Sequence, residues 1–249
     1  MNREATDLAG IRHRSYGALG STSAEALALA RAGERGPLWV SATEQAGGHG
    51  RHGRSWASPR GNLYATLLLT EPCAAAVAPQ LSFVAGLAAH DAIATCAPTL
   101  ARDLTLKWPN DLLLTKRKIA GLLIEAESQP VFAVVIGIGI NCVSHPAKTR
   151  YPATDLAANG VAVDPAAALL ALAQAMKARL RQWRAGTGFA SIRADWLTRA
   201  AGIGATIEVR LPDRRFSGVF DGIDEAGRLL VVPQGGQPEA IAAGDVFGL

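Results

Sequence analysis

The run Glu44-Gln45-Ala46-Gly47-Gly48-His49-Gly50-Arg51-His52-Gly53-Arg54-Ser55-Trp56 concentrates residue types suited to gripping an anion. It directly follows the strand-like Leu38-Trp39-Val40-Ser41-Ala42-Thr43. Glycine lacks a Cβ and accepts positive φ, so such a loop can fold closely around a ligand and aim backbone N–H groups at it. Arg51 and Arg54 add forked donors matched to phosphate or carboxylate, and Trp56 offers a face on which a base can stack. Two other readings stay open on these residues alone: a mobile loop solvated by its charges, or an RGG-like patch that binds RNA without selectivity. His49 and His52 have H-x-x-H spacing, but no further nearby ligand completes a metal site.

Downstream lie Ser58-Pro59-Arg60-Gly61-Asn62-Leu63-Tyr64, Lys107-Trp108-Pro109-Asn110-Asp111, Lys118-Ile119-Ala120-Gly121 and Gly137-Ile138-Gly139-Ile140-Asn141. In this order and spacing the segments resemble the biotin–protein ligase family, also called biotin–[acetyl-CoA-carboxylase] ligases. That family carries a GRGRxGRxW loop, SPxGNLY, KWPND, KxAG and a GxGxN strand end. The resemblance runs from about Gly20 to the C-terminus. It departs at His49, which replaces the first loop arginine, and at Ala46-Gly47, where Thr-Ala is usual.

The resemblance implies ATP-dependent formation of biotinyl-5′-adenylate and transfer of biotin to a lysine of a biotin carboxyl carrier domain, with release of AMP. An anion must then meet a polyanion, which calls for fixed cations and Mg²⁺. Lys107, at the end of an apolar strand before Pro109, is the expected catalytic cation. Arg51 acts with it, and Arg51 and Arg54 grip the adenylate phosphate and pyrophosphate. A lysine whose head reaches solvent is the plainer alternative for Lys107. The resemblance places the ureido ring against Ser21 and Thr22; Gln45 and the Gly48 backbone match its donors and acceptor, and His49, Gly50, Arg51 and Lys107 complete the expected biotin-binding set, with Gly121 permitting close approach. A β-bulge would equally explain Gly121. Trp56 would stack on adenine, Asn141 read its edge, and Gly139 leave room. Asn110 and Asp111 would place ATP or Mg²⁺, although Asn-Asp after proline is also a common turn pair. Histidine lacks the guanidinium fork, so His49 is expected beside the ligand with less charge.

These groups need a scaffold. The chain has 249 residues, 49% hydrophobic and 18% charged, enough to bury a core without staples. Its net charge of +4 is too small to argue for nucleic acid by itself. Cys73, Cys96 and Cys142 are scattered and odd in number, which suits a reducing cytoplasm. No apolar run reads as a signal peptide or membrane span.

Residues 1–14 read as a loosely held tail. Thr22 and Glu25 have capping-box spacing ahead of an Ala/Leu helix, so the hydroxyls there also have a purely structural explanation. Strands are expected at 62–70, 104–108, 112–114, 119–125 and 131–142, and helices at 79–95, after Asp164-Pro165, and at 189–200. Beyond Gly202, short strands at 206–210, 216–223, 229–232 and 240–242 alternate with Asp/Gly/Pro turns. The expected fold is α+β: a mixed sheet flanked by helices, like the class II synthetase-like catalytic fold of the family, then a small SH3-like β-barrel. The expected division is 1–201 and 202–249.

The catalytic motifs start about 20 residues in, too early for a helix-turn-helix module to precede them, so no DNA binding is expected. A homodimer is compatible with the sequence. The enzymatic rival is a lipoate or octanoate ligase or transferase of related fold. Octanoyl transfer commonly uses a cysteine, and none here sits beside a convincing base. A nonenzymatic RNA-binding module is the rival of another class, although no aromatic-interleaved RNP pattern supports it.

Overall fold

A computed structural model describes residues 3–4, 7–147, 149 and 151–248. In chain order the elements of the first unit are β1 (Arg3–Glu4), β2 (Arg12–Leu19), α1 (Thr22–Arg31), β3 (Leu38–Gln45), β4 (Leu63–Thr70) and α2 (Leu81–Cys96). They continue with β5 (Leu104–Lys107), β6 (Asp111–Leu114), β7 (Arg117–Glu127), β8 (Ala133–Ile140), α3 (Pro165–Trp183) and α4 (Phe189–Leu197). Strands β1 to β8 form one sheet in the order β1-β2-β3-β4-β8-β7-β6-β5. Among the named strands of the described residues, β2 and β3 pair parallel, joined by a crossover through α1, and the other neighbours pair antiparallel.

Both faces of the central strands are covered, so β4 and β8 read as unbroken apolar runs instead of alternating ones. The alternation persists in which core each residue joins. Val134, Ile136, Ile138 and Ile140 of β8 pack into the large core with α2, α3 and α4. Ala133 and Val135 pack with Ala26 and Ala30 of α1. Asp164 caps α3, accepting from Ala166 N at 3.0 Å. Leu169, Leu172, Ala173, Met176 and Trp183 bury the apolar stripe expected of that helix, and Leu180 is partly buried.

Two expectations need correction. Residues 12–14 belong to β2, not to a tail, held by parallel pairing of Arg12 with Leu38 through Leu19 with Gln45. The capping box is also absent. Ser21 is the N-cap, accepting from Ala24 N, while Glu25 Oε1 receives the Tyr16 hydroxyl at 2.8 Å.

The C-terminal unit contains β9 (Thr206–Arg210), β10 (Arg215–Ile223), β11 (Leu229–Pro233), β12 (Glu239–Ile241) and β13 (Asp245–Phe247). Its antiparallel ladder runs β12-β11-β10-β9-β13; among the described residues no pairing joins β12 to β13 to close it. Strand β13 escaped the sequence reading, being three residues long and flanked by glycines. The unit shares its core with α2 and α4, and the Trp108 indole N–H donates to Gly227 O at 3.2 Å. Residues 199–201 cap the exposed edge of β5, exchanging backbone hydrogen bonds with Leu106. Among the described residues no helix is long and apolar enough to cross a membrane.

Candidate active site

Sheet register assembles the motifs. Ala42 of β3 pairs with Tyr64 of β4, Tyr64 with Gly139 of β8, Gly139 with Gly121 of β7, Gly121 with Asp111 of β6, and Asp111 with Lys107 of β5. Residues far apart in sequence therefore form one row across six strands. The row lies on the face that α1 covers, beyond the helix's N-terminus: a Cβ on Gly137 would strike Ser23 Oγ at 2.5 Å. There the helix ends and a cleft of about 360 Å³ opens.

Gly121 and Gly139 form the floor. A Cβ on Gly139 would lie 2.6 Å from Trp56 Nε1, and one on Gly121 2.9 Å from Trp56 Cζ3, so the indole rests directly on the backbone pair. The β-bulge explanation of Gly121 fails, because the register shift falls between Leu112 and Leu113, where Ile119 is the extra residue. The indole N–H is buried and has no hydrogen-bond partner among the described residues.

The helix end supplies the polar wall. Gln45 Oε1 accepts from Thr22 N at 2.8 Å and Thr22 Oγ1 at 3.1 Å, while Gln45 Nε2 donates to Ser58 Oγ at 2.9 Å. Thr66 Oγ1 donates to Thr22 Oγ1 at 2.8 Å and lies 3.2 Å from Ser23 Oγ. Ser21, Thr22 and Ser23 are all buried. Gln45 thus completes the helix cap that Thr22 N requires and leaves one amide hydrogen for a ligand.

The Gly/Arg loop is a tight hairpin. Trp56 N donates to Gly48 O and Gly50 N to Arg54 O, around a 3-10 turn at Arg51–Gly53 with His52 at φ 58°. Arg51 Nη1 reaches Gly244 O at 3.2 Å and Asn110 Oδ1 at 3.4 Å. Arg54 makes a two-pronged pair with Asp245. Burial lowers the Arg51 guanidinium's pKa, opposed by Asp245 and Asp111, whereas the Asp245 carboxylate raises that of Arg54. His49 lies 3.5 Å from Glu125 Oε1.

Lys107 is 8% exposed, which sets aside a solvent-facing head. Its Nζ lies 3.9 Å from the centre of the Tyr151 ring. Asn110 Nδ2 donates to Leu122 O at 2.7 Å, and Asn141 Nδ2 to Thr154 O at 2.9 Å, so each holds a neighbouring chain segment as well as lining the cleft. Asp111 Oδ1 is in ion-pair contact with Lys118 Nζ at 2.6 Å. Among the described residues no group of three or more His, Cys, Asp or Glu gathers as a metal-ligand cluster.

Of the residues expected from sequence, Ser21, Thr22, Gln45, His49, Gly50, Arg51, Arg54, Trp56, Lys107, Asn110, Asp111, Gly121, Gly139 and Asn141 all line this cleft. Gly48 does not. It lies behind the hairpin, where a Cβ would be 2.6 Å from Ser58 Oγ. The sequence reading missed Ser23, Lys118, Tyr151 and Asp245, all on the cleft wall. Lys118 stood within a quoted motif; Tyr151 and Asp245 carried no local signal. Asn62, also within a quoted motif, is a structural clasp, its Oδ1 accepting from the backbone N–H groups of Cys142, Val143 and Ser144.

Residues 25–141 match the Biotin/lipoate A/B protein ligase family, and residues 202–248 match the Biotin protein ligase C terminal domain. The chain is 43% identical over 239 residues to the biotin–[acetyl-CoA-carboxylase] ligase of Paracoccus denitrificans, covering 91% of this chain and 96% of that protein. It is 34% identical to the enzyme of the same name from Mycobacterium tuberculosis, covering 92% and 86%. Among solved structures, biotin protein ligase from Aquifex aeolicus in complex with biotin and ATP superposes with a TM-score of 0.81 at 24% identity, over 94% of this chain and 97% of that one. The fold, the paired domain matches and the full-length identity agree: the chain belongs to the biotin–protein ligase family.

Proposed function

We infer that this cleft joins biotin to ATP, giving biotinyl-5′-adenylate and pyrophosphate, and then passes biotin to a lysine of a carboxylase's biotin carrier domain, releasing AMP. The observation that carries the residue assignment is the cross-strand row: the Gly121–Gly139 floor, with Lys107 and Asp111 at one end and the arginine hairpin above. The adenylate needs a flat seat, and the Trp56 indole, laid directly on the Gly121–Gly139 backbone pair, provides one. Both chemical steps then require cations beside the reacting groups. Lys107 sits where the carboxylate and α-phosphate would meet. Arg51 and Arg54 neutralise the phosphates. At an effective dielectric of 20, each cation about 4 Å from an anion contributes roughly 4 kcal/mol before desolvation, enough to offset repulsion between two anions without a covalent enzyme intermediate.

Ser21, Thr22, Gln45, His49 and Gly50 take the ureido ring, and Gly48 shapes the hairpin behind them. Trp56, Gly139, Asn110 and Asn141 take the adenosine. Mg²⁺ enters with the nucleotide as MgATP, and Asp111 faces it from the row. The division near residue 202 leaves the chemistry to the first unit, while Asp245 and Gly244 of the second hold the hairpin arginines. The cysteines suit a cytoplasmic location.

The rivals meet specific obstacles. Cys142 is fully buried, and burial pushes its thiol up to about 11, so it offers no thiolate for octanoyl transfer; Cys73 and Cys96 do not line the cleft. The loop arginines are held on the wall of an enclosed cleft by Asp245, Gly244 O and Asn110, an arrangement suited to a small anionic ligand. Biotin-dependent exchange of pyrophosphate into ATP, followed by transfer to a carrier domain, tests the reading. Exchange driven by lipoate or octanoate, or tight RNA binding insensitive to biotin and steeply salt-dependent, would replace it.

A further inference from the structure

Lys107 Nζ does not stand over a single ring. It lies 3.9 Å from the centre of Tyr151 and 5.9 Å from that of Phe247, and the two rings are 4.9 Å apart with an interplanar angle of 28°. The Arg210 guanidinium carbon lies 4.0 Å from the centre of Phe247. The two rings come from different units. Phe247 is in β13, paired with Glu208 of β9. Tyr151 precedes a segment tied to β7, where Lys118 N donates to Pro152 O at 2.8 Å and Thr154 N to Lys118 O at 2.9 Å. Asn141 Nδ2 fastens the same segment through Thr154 O.

A lysine side chain has four rotatable bonds, and its ammonium is easily misdirected. An aromatic face attracts a cation without neutralising it, unlike a carboxylate, and so can aim the charge while leaving it for a ligand. We propose that Tyr151 and Phe247 are positioning residues for Lys107: a two-ring platform through which the C-terminal sheet fixes the direction of the ammonium in the cleft. The inference rests on the reading of Lys107 as the cation that serves the adenylation step. It gives the C-terminal unit a part in that step distinct from its grip on the arginine hairpin.

The platform is testable by pairs of variants. Tyr151→Leu removes the face but keeps apolar bulk, and should lower kcat of biotin-dependent pyrophosphate exchange about ten-fold, within the span of a desolvated cation–π contact, with the KM for biotin changed less than about two-fold. Tyr151→Phe keeps the face and should restore most of the rate. Phe247→Leu should lower kcat about three-fold from the C-terminal side, with Phe247→Tyr restoring it. Should Tyr151→Leu not fold, the Phe247 pair carries the same test. The ε-methylene resonances of Lys107 in the wild-type protein should be shifted upfield by ring current. That shift should be lost in Tyr151→Leu and kept in Tyr151→Phe.

An unshifted Lys107 in the wild type, or full kcat in both leucine variants, overturns the platform. Unimpaired exchange in Lys107→Met overturns the catalytic assignment instead, and leaves the wild-type ring-current shift in place.

Discussion

Substituting Gly139 by alanine probes the floor of the cleft most directly. The added Cβ would lie 2.6, 2.7 and 2.8 Å from Nε1, Cε2 and Cζ2 of Trp56. Carbon atoms prefer about 3.5–4.0 Å, so the indole must lift by roughly 1 Å along most of one edge. Overpacking in a closed core costs about 1–3 kcal/mol. Trp56 rides on a hairpin that can yield, so the lower part of that range applies: about 1–2 kcal/mol, or about a five- to thirty-fold loss in equilibrium. The loss should fall on retention of the adenylate, whose base needs the indole in place, more than on the melting temperature, because the large core packs on the opposite face of the sheet. Dissociation of preformed biotinyl-5′-adenylate, read beside thermal unfolding, separates the two. Gly17→Ala is the control, since nothing lies within 4 Å of its added Cβ. In a Trp56→Ala background the additional effect of Gly139→Ala should shrink to near zero. Unchanged retention in Gly139→Ala, or a penalty that survives removal of the indole, would refute the packing argument.

Other expectations follow from individual contacts. Replacing His49 by arginine should preserve or tighten adenylate retention, because the fork adds donors and positive charge beside the ligand; markedly weaker binding counts against the placement of this residue. Gln45→Ala removes three hydrogen bonds, each contributing about 0.5–1.5 kcal/mol, and should lower stability by about 1.5–4.5 kcal/mol together with biotin affinity, as read by melting and calorimetric titration. Cys142, its thiol pushed up to about 11 by burial, should resist alkylation at pH 8 until the protein is unfolded; rapid labelling of the native state would contradict its burial. Burial alone would raise the pKa of Asp91, but hydrogen bonds from His90 and Arg179 outweigh it and hold the carboxyl below its ordinary value of 3.8. Its contribution to stability is therefore present above that value and lost as pH falls through the lower, folded-state value. Asp91→Asn should flatten the fall in melting temperature below about pH 4.

The parts of the site that could be read from sequence are those encoded by contiguous residues. Lys107, Asn110 and Asp111 share one strand–turn–strand, and Gly139 and Asn141 one strand end, so their spacing shows in the chain. Tyr151 and Asp245 meet the same ligand space through chain folding and docking of the C-terminal unit, which leave no local spacing, whereas Lys118 stood inside a contiguous motif and was passed over. Strand β2 stayed hidden for a related reason. Arg12–Leu19 buries no residue fully and mixes exposed with half-exposed positions, without the alternation of a strand packed on one side. It is ordered by its parallel neighbour β3, after an 18-residue crossover spanning Gly20 to Pro37. The capping-box reading failed because two hydroxyls compete at the helix start. Ser21 takes the cap, which frees Glu25 to bind Tyr16 and lets Gln45 serve Thr22.

Because β8 sends its even-numbered side chains into the large core and its odd-numbered positions toward α1 and the cleft, site and core are two halves of a single binary code. Deleting one residue between Ile136 and Gly139 would exchange them, pushing isoleucine side chains up through the ligand's seat and leaving glycine-sized voids beneath α2. Substrate preference in such a scaffold can drift by point substitution along the row, yet any change in strand length strikes catalysis and stability at once.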